Sequence, residues 1–173
     1  MRSRPFLLLA AFSAGVAVLG GAKSANGAII SLSANLSGVQ ETPPNASPAT
    51  GIGLVVLDDV ANTIKVNESW SGLSAPATAS HIHTGGVGIP GPVTFALTSV
   101  PAATSGSLEQ TFAVTPAQIA SLEAGQMYFN VHDSVFPGGE IRGQISVVPE
   151  PAMLSLLGTG AMALMARRRR ANF

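Results

Sequence analysis

Two apolar segments at opposite ends of the chain confine its folding unit to the middle. The first runs from Phe6 to Leu19 behind Arg2 and Arg4, and the second runs from Ala152 to Ala166 ahead of four arginines. Both ends differ in composition from the intervening chain, so about 120 residues remain for a core. A domain of that size needs no disulfide or metal staple, so the absence of cysteine is no obstacle to folding.

The first segment predicts an export signal. A basic start, a 14-residue apolar run and the small residues that follow, Gly20 to Ala28, have the layout of a secretory leader. A membrane anchor needs about 20 apolar residues, so this run is too short to be one. We therefore expect residues 1–28 to be a signal peptide, cleaved between Ser24 and Ala28.

The second segment lies within an ordered set of three elements. They are, in chain order, the triplet Pro149, Glu150 and Pro151, the apolar run, and the arginine cluster Arg167, Arg168, Arg169 and Arg170. This set resembles the PEP-CTERM sorting signal of Gram-negative bacteria, whose triplet is the recognition site of a transpeptidase-like membrane enzyme, the exosortase. The resemblance implies that residues 149–173 are a sorting signal and that an exosortase is a partner.

The physical properties of this segment fit a temporary membrane stop. The arginine cluster stays in the cytoplasm under the positive-inside rule, so the preceding domain lies outside. Fifteen apolar residues reach about 22 Å, which is short of a hydrocarbon core of about 30 Å. We expect a short transmembrane segment that holds the protein transiently in the inner membrane of a Gram-negative bacterium before it reaches the cell envelope or the exterior. The alternative is a simple C-terminal tail anchor.

The charge of the middle segment excludes one class of partner. Residues 29–148 contain two basic and eight acidic residues, a net charge of −6, although the whole chain is neutral. Such a domain repels nucleic acid and anionic lipid.

Short apolar stretches with period-two alternation fill the middle segment, separated by Ser, Thr, Gly and Pro. They predict eight strands, at residues 31–37, 51–57, 63–70, 78–83, 92–98, 107–114, 126–132 and 140–147. One short helix is predicted after Thr115, since Thr115, Pro116 and Gln118 supply an N-cap, a first-turn proline and a capping-box partner. The fold class is therefore all-β, an antiparallel Greek-key-like sandwich or barrel.

Two charged positions stand out in these strands. Glu68 falls on the apolar phase of its strand, which predicts a bulge or a paired carboxylate there. Glu140 and Arg142 share one strand face, which predicts an ion pair between them or with Glu68 or Glu109 across the sheet.

Four motifs resemble the CHRD domain, which is named for the extracellular protein chordin and also occurs in bacterial exported proteins. They are LSGVQETPP at 36–44, HIHTGG at 81–86, AGQMYFNVH at 124–132 and FPGGEIRGQI at 136–145. The resemblance implies an extracellular all-β module over residues 29–148, with no settled activity. We expect a non-catalytic binding or structural module of the envelope or matrix, without a cofactor, whose partners are exopolysaccharide or surface proteins.

The three histidines of the chain form the one group of residues whose pattern could support site chemistry. His81 and His83 share a strand face, and His132 from a later strand could complete a copper or zinc site. The pattern is similar to the copper ligands of copper/zinc superoxide dismutases, but residues 84–131 contain no histidine, which excludes a bimetallic centre. A copper-only site remains, with Asp133 or Glu140 as partner of a ring N–H.

The alternative is that these histidines lie on the polar faces of their strands and hydrogen-bond loop oxygens, and the pattern favours it. Ile82 and Val131 occupy the apolar phase next to them, so the histidines should point away from the core. The metal hypothesis requires the three imidazoles to converge within about 4 Å of each other, because the bonds from a metal to its ligands are about 2 Å long. No Gly-x-Ser-x-Gly element is present and the loop Gly85–Gly91 lacks the Lys-Ser/Thr of a phosphate-binding loop, so the sequence predicts no enzyme.

Overall fold

A computed structural model describes residues 29–149. The predicted signal peptide, the sorting signal from Glu150 onward and the arginine cluster lie outside the described residues. Within residues 29–149, none of the helices has the length and apolar character needed to cross a membrane.

The described chain is built almost entirely of strands. Its elements are β1 Ile29–Ser37, a 3₁₀ turn Gly38–Gln40, β2 Thr50–Asp58, β3 Thr63–Ser71, β4 Ala77–Thr84, β5 Val93–Ala96, β6 Gly106–Ala113, α1 Pro116–Glu123, β7 Met127–Asp133, β8 Ile141–Gln144 and β9 Ser146–Val147. The predicted all-β class and the single helix are confirmed. The last predicted strand is divided at Ile145 into β8, which pairs with β7, and β9, which pairs with β1.

All strand pairs are antiparallel, and the sheet closes nearly into a barrel. Its order is β5-β4-β7-β8-β1-β2-β3-β6, with β9 also paired to β1. The two edge strands approach each other through Phe95 and Phe112, whose ring centroids are 5.0 Å apart. The backbone N–H of Thr98 also donates to Gln110 Oε1 at 2.9 Å, so side chains bridge the gap that backbone pairing leaves open.

Side chains on the inward-facing positions of the strands fill the interior of this barrel. In β3, for example, Ile64, Val66 and Trp70 are buried while Lys65 and Ser69 are exposed. Across the barrel, the Phe129 ring of β7 lies so close to Gly53 of β2 that a Cβ at that position would be 2.3 Å from a ring carbon. Residue 53 must therefore lack a side chain for the aromatic ring to fit.

Helix α1 begins as the sequence predicts. The Thr115 side chain accepts from the Gln118 N–H at 3.3 Å, and the Gln118 side chain accepts from the Thr115 N–H at 2.8 Å. This reciprocal pair satisfies two backbone donors that have no partner in the first helical turn. Leu122 anchors the helix to the core.

Glu68 is inside the barrel, and neither of the two arrangements predicted for it occurs. The registers of β3 with β2 and β6 run without a bulge, and the hydrogen-bond partner of the Glu68 carboxyl is a neutral hydroxyl instead of a cation. Ser80 Oγ of β4 donates to Glu68 Oε2 at 2.5 Å, while Oε1 is buried without a partner. Burial raises the Glu68 pKa to about 8, against the opposing effect of the Ser80 hydrogen bond, so a neutral carboxylic acid lies in the core.

This buried acid predicts a pH-dependent loss of stability. Above pH 4.5 the unfolded state ionises Glu68 while the folded state keeps the proton until about pH 8. The free energy of unfolding should fall by about 1.4 kcal/mol per pH unit over that window. Urea unfolding at pH 6.5 and 8, followed by the fluorescence of Trp70, should show a larger loss in the wild type than in Glu68→Gln, where the raised pKa of Glu41, about 7, leaves a smaller loss. Glu109→Gln, at an exposed position of β6, should behave as the wild type; equal pH slopes in all three proteins would refute the assignment.

Candidate metal centre

The pairing of β4 with β7 brings the three histidines together. His83 lies opposite Tyr128, His81 opposite Asn130 and Ala79 opposite His132. Since the intervening residues Ile82, Phe129 and Val131 are fully buried in the core, the histidines occupy the outer face of the sheet. Their predicted direction, away from the core, is confirmed.

The histidines are nevertheless not free-standing surface residues. His83 and His132 are each only 9% exposed, and His81 is partly exposed. Every residue of β7 is buried, because the core covers one face of this strand and loops cover the other. The segments that reach the histidines are the strap, residues 85–91, and the second loop, residues 134–140.

Loop carbonyls determine which nitrogen carries the proton in two of these rings. Nδ1 of His83 is 2.9 Å from Gly91 O, and Nδ1 of His132 is 3.1 Å from Pro137 O. A carbonyl oxygen only accepts, so both Nδ1 atoms must be the donors. In their neutral forms, both rings therefore carry their lone pair on Nε2, an atom that can bind a metal. The lone pair of His83 Nε2 has no partner, whereas that of His132 Nε2 accepts from His81 Nδ1–H at 3.0 Å.

The ring nitrogens that could bind an ion converge. His132 Nε2 is 3.0 Å from His81 Nδ1, and one ligand atom from each of the three histidines lies within 4.8 Å of the others. Two nitrogens bound to one ion at 2.0–2.1 Å are separated by about 3 Å when the bonds form a right angle and by about 4.2 Å at most. The His81–His132 pair fits this range, whereas nitrogens 4.8 Å apart must move closer together by several tenths of an ångström to bind one ion. His83 Nε2 is buried with no hydrogen-bond partner, so a bound ion would satisfy an atom that is otherwise left bare.

The surroundings keep all three imidazoles neutral. The pKa of His132 is lowered to about 4, chiefly by burial and to a lesser extent by the charge of the neighbouring His81. Burial also lowers the pKa of His81, and the charge of His83 adds to this effect. Burial lowers the pKa of His83 as well, helped by the charge of Arg142 and opposed by the hydrogen bond to Gly91. Metal ligation requires the unprotonated ring, so no proton needs to leave at neutral pH.

Asp133 and Glu140 do not serve as partners of the histidine rings, contrary to the sequence-based expectation. Asp133 accepts from the backbone N–H groups of Ala75 and Phe136 at 2.7 and 2.6 Å. Glu140 accepts from the Ser47 and Ser74 hydroxyls at 2.5 and 2.8 Å. Both acids hold loops in place. The ring N–H groups of His83 and His132 are instead bound by the backbone carbonyls of Gly91 and Pro137.

The predicted ion pair between Glu140 and Arg142 is also absent. The Arg142 guanidinium carbon instead lies 3.4 Å from the Tyr128 ring centroid, and its Nη2 donates to Gly86 O at 2.8 Å and Ile89 O at 3.1 Å. Glu109, the other predicted partner, pairs with Lys65 at 2.8 Å.

Tyr128 and Arg142 support the centre and were missed as site residues by the sequence reasoning. The Tyr128 ring stacks on the His83 ring at 5.0 Å and 7°, and its hydroxyl accepts from the Gly91 N–H at 3.1 Å. Arg142 clamps the strap that presents the Gly91 carbonyl to His83. Tyr128 could have been found from its spacing, because a residue four before His132 in a strand shares its face.

The described chain is thus a single-domain antiparallel β-barrel with a candidate three-histidine metal centre under its loops. Residues 32–145 match the family model described as the CHRD domain, and residues 147–170 match that of the PEP-CTERM protein-sorting motif. The chain belongs to the CHRD domain family, as the four sequence motifs indicated. No curated protein and no solved structure matches it.

The second match concerns the destination of the protein. The PEP-CTERM motif indicates export, processing by an exosortase and association with the envelope of a Gram-negative bacterium. Of its residues, Val147, Val148 and Pro149 are within the described range, and all three are exposed.

The depressed pKa of His132 predicts acid sensitivity of the metal-free protein. Above pH 6.5 His132 is neutral in both states; between pH 6.5 and about 4 only the unfolded state takes up the proton, so stability is lost as pH falls. Relative to His132→Asn, whose amide does not titrate, the wild type should lose about 2 kcal/mol between pH 7 and pH 5. Denaturant unfolding with a chelator present measures this difference, and parallel pH profiles would contradict it.

Proposed function

We propose that this protein is an exported, exosortase-processed component of the cell envelope or extracellular matrix, and that its CHRD domain is a non-catalytic binding module. The observation that supports this most is the direct succession of the two family matches, at residues 32–145 and 147–170. The backbone N–H of Val148 donates to Ser31 O at 2.9 Å, so the last hydrogen bond of the domain lies one residue before Pro149. A folded module followed at once by a sorting signal suits display outside the inner membrane.

The proposed route includes a temporary stop in the inner membrane, with exopolysaccharide or other surface proteins as partners after release. The short apolar segment and the arginine cluster support the stop, as argued from their lengths and charge. The net charge of −6 over residues 29–148 supports partners other than nucleic acid.

Substitution of the central residue of the triplet tests this route. Glu150→Ala should leave the C-terminal segment uncleaved and the protein in the inner-membrane fraction, because the acidic side chain between two prolines is the proposed recognition element. Intact-mass spectrometry and cell fractionation in the native host measure both effects. Glu123→Ala, at an exposed position of α1, is the control and should be processed as the wild type; normal processing of Glu150→Ala would reject the proposed route.

A second function is favoured by the convergence of His81, His83 and His132. We propose that these residues form a mononuclear copper site on the exported domain. Three neutral imidazoles suit copper or zinc, and copper binds nitrogen ligands more tightly in the general order of divalent ions. The buried lone pair of His83 Nε2 and the two carbonyl-oriented rings support this assignment. Binding, rather than turnover, is proposed for the site.

Metal titration tests the copper site directly. The full chain in detergent should bind one copper ion, and His83→Ala and His132→Ala should each weaken binding by at least about 100-fold, because removal of one of three ligands removes most of the chelate. Isothermal titration with copper and zinc measures this. Thr78→Ala, an exposed position on β4, is the matched control; unchanged copper binding in both histidine variants would exclude the site.

A further inference from the structure

Arg142 holds a positive charge in a fixed place beside the histidine cluster. Its guanidinium carbon is 3.4 Å from the centroid of the Tyr128 ring, which stacks on the His83 ring with centroids 5.0 Å apart. The Arg142 residue is only 2% exposed. One aromatic ring therefore separates a buried cation from a candidate metal ligand.

Within residues 29–149, no salt bridge to a carboxylate neutralises this cation. Its hydrogen bonds reach the neutral acceptors Gly86 O, Ile89 O and the Thr42 hydroxyl, at 2.8, 3.1 and 3.4 Å. The acidic residue whose charge interacts with Arg142 is Glu41, and burial raises the pKa of Glu41 to about 7 despite that attraction. At neutral pH the Glu41 carboxyl is therefore only partly ionised, so it compensates the charge of the guanidinium only in part.

The candidate ligands do not supply negative charge either. The group that could hold an ion consists of His81, His83 and His132, with no carboxylate among them. Because Coulomb repulsion scales with the product of the charges, a divalent ion pays twice the penalty of a monovalent ion near Arg142. Burial weakens solvent screening and makes this difference larger.

Coordination chemistry points in the same direction. Cuprous copper has a filled d shell and accepts three neutral nitrogen ligands without an anion. Cupric copper favours tetragonal sites with four or more nitrogen or oxygen ligands, and zinc is commonly completed by thiolate, carboxylate or water.

We propose that the histidine centre selects cuprous copper over cupric copper and zinc, and that the Arg142 guanidinium, held against Tyr128, sets this selectivity. The inference rests on the copper site proposed above. Arg142 acts through charge and through its clamp on the strap, as a positioning residue that does not itself bind the ion.

A charge-compensating substitution tests the proposal while leaving Arg142 in place. Thr42 is exposed and its hydroxyl is 3.4 Å from Arg142 Nη1, so Thr42→Glu sets a carboxylate beside the guanidinium. Thr111→Glu makes the same change of charge at an exposed position of β6, an edge strand. Competition with a colorimetric cuprous chelator under anaerobic, reducing conditions, and separate competitions for cupric and zinc ions, give the three dissociation constants for each full-length protein.

The wild type and Thr111→Glu should bind the cuprous ion about tenfold or more tightly than either divalent ion. In Thr42→Glu this ratio should shrink by about tenfold, chiefly through tighter cupric and zinc binding. Arg142→Met, with folding verified by circular dichroism, should change the ratio in the same direction. Tighter cupric than cuprous binding in the wild type, or equal ratios in Thr42→Glu and Thr111→Glu, would overturn the selectivity alone. Failure to bind any of the three ions would overturn the copper function and the selectivity together.

Discussion

The register between β4 and β7 is the constraint on which the arrangement of the domain depends. Ile82 of β4 lies opposite Phe129 of β7 inside the barrel, and the next pair, His83 and Tyr128, lies outside. A slip of one residue in either strand would move its apolar residues to the outer face and its polar residues into the core. The same register that buries the apolar residues inside the barrel therefore also brings the histidines together on the outer face of the sheet.

The outer face of β7 forms a second, polar interior beneath the loops. Its hydrogen bonds join side chains to loop backbone: Asn130 Nδ2 donates to Gly138 O at 3.4 Å, and the Tyr128 hydroxyl accepts from the Gly91 N–H at 3.1 Å. From the neighbouring β8, Gln144 Nε2 donates to Gly85 O and Gly125 O at 2.9 and 2.8 Å. These contacts replace water as partners of buried backbone groups. They also explain how a strap with four glycines can present a carbonyl to His83 in a defined place.

The sequence predicts the features of this fold that depend on neighbouring residues, and it fails to predict those that depend on contacts between distant segments. Alternation located the strands, and the capping residues Thr115 and Gln118 located the helix, because both signals depend on neighbours in the chain. The near-closure through Phe95 and Phe112, and the burial of His83 by the strap, depend on contacts that no local period encodes. Glu68 was misread for the same reason, since its hydrogen-bond partner Ser80 belongs to a strand on the other half of the barrel.

The candidate centre was predicted in part. The outward direction of the three histidines followed from strand periodicity, and their distance from one another required the pairing of two strands. Arg142 was assigned to an ion pair from its spacing to Glu140, whereas aromatic stacking on Tyr128 and two loop carbonyls proved to be its partners. A charge pattern along one strand cannot show which loop will fold over it.

The hydrogen bond between His81 and His132 joins residues 51 positions apart in the chain. Closing so long a loop costs conformational entropy that local contacts do not repay, so this junction forms only when β7 docks onto β4. The three rings therefore come together only in the assembled barrel and are apart in a partly folded chain. Any ion that binds the whole set adds its binding energy to the native state alone and draws the folding equilibrium toward completion.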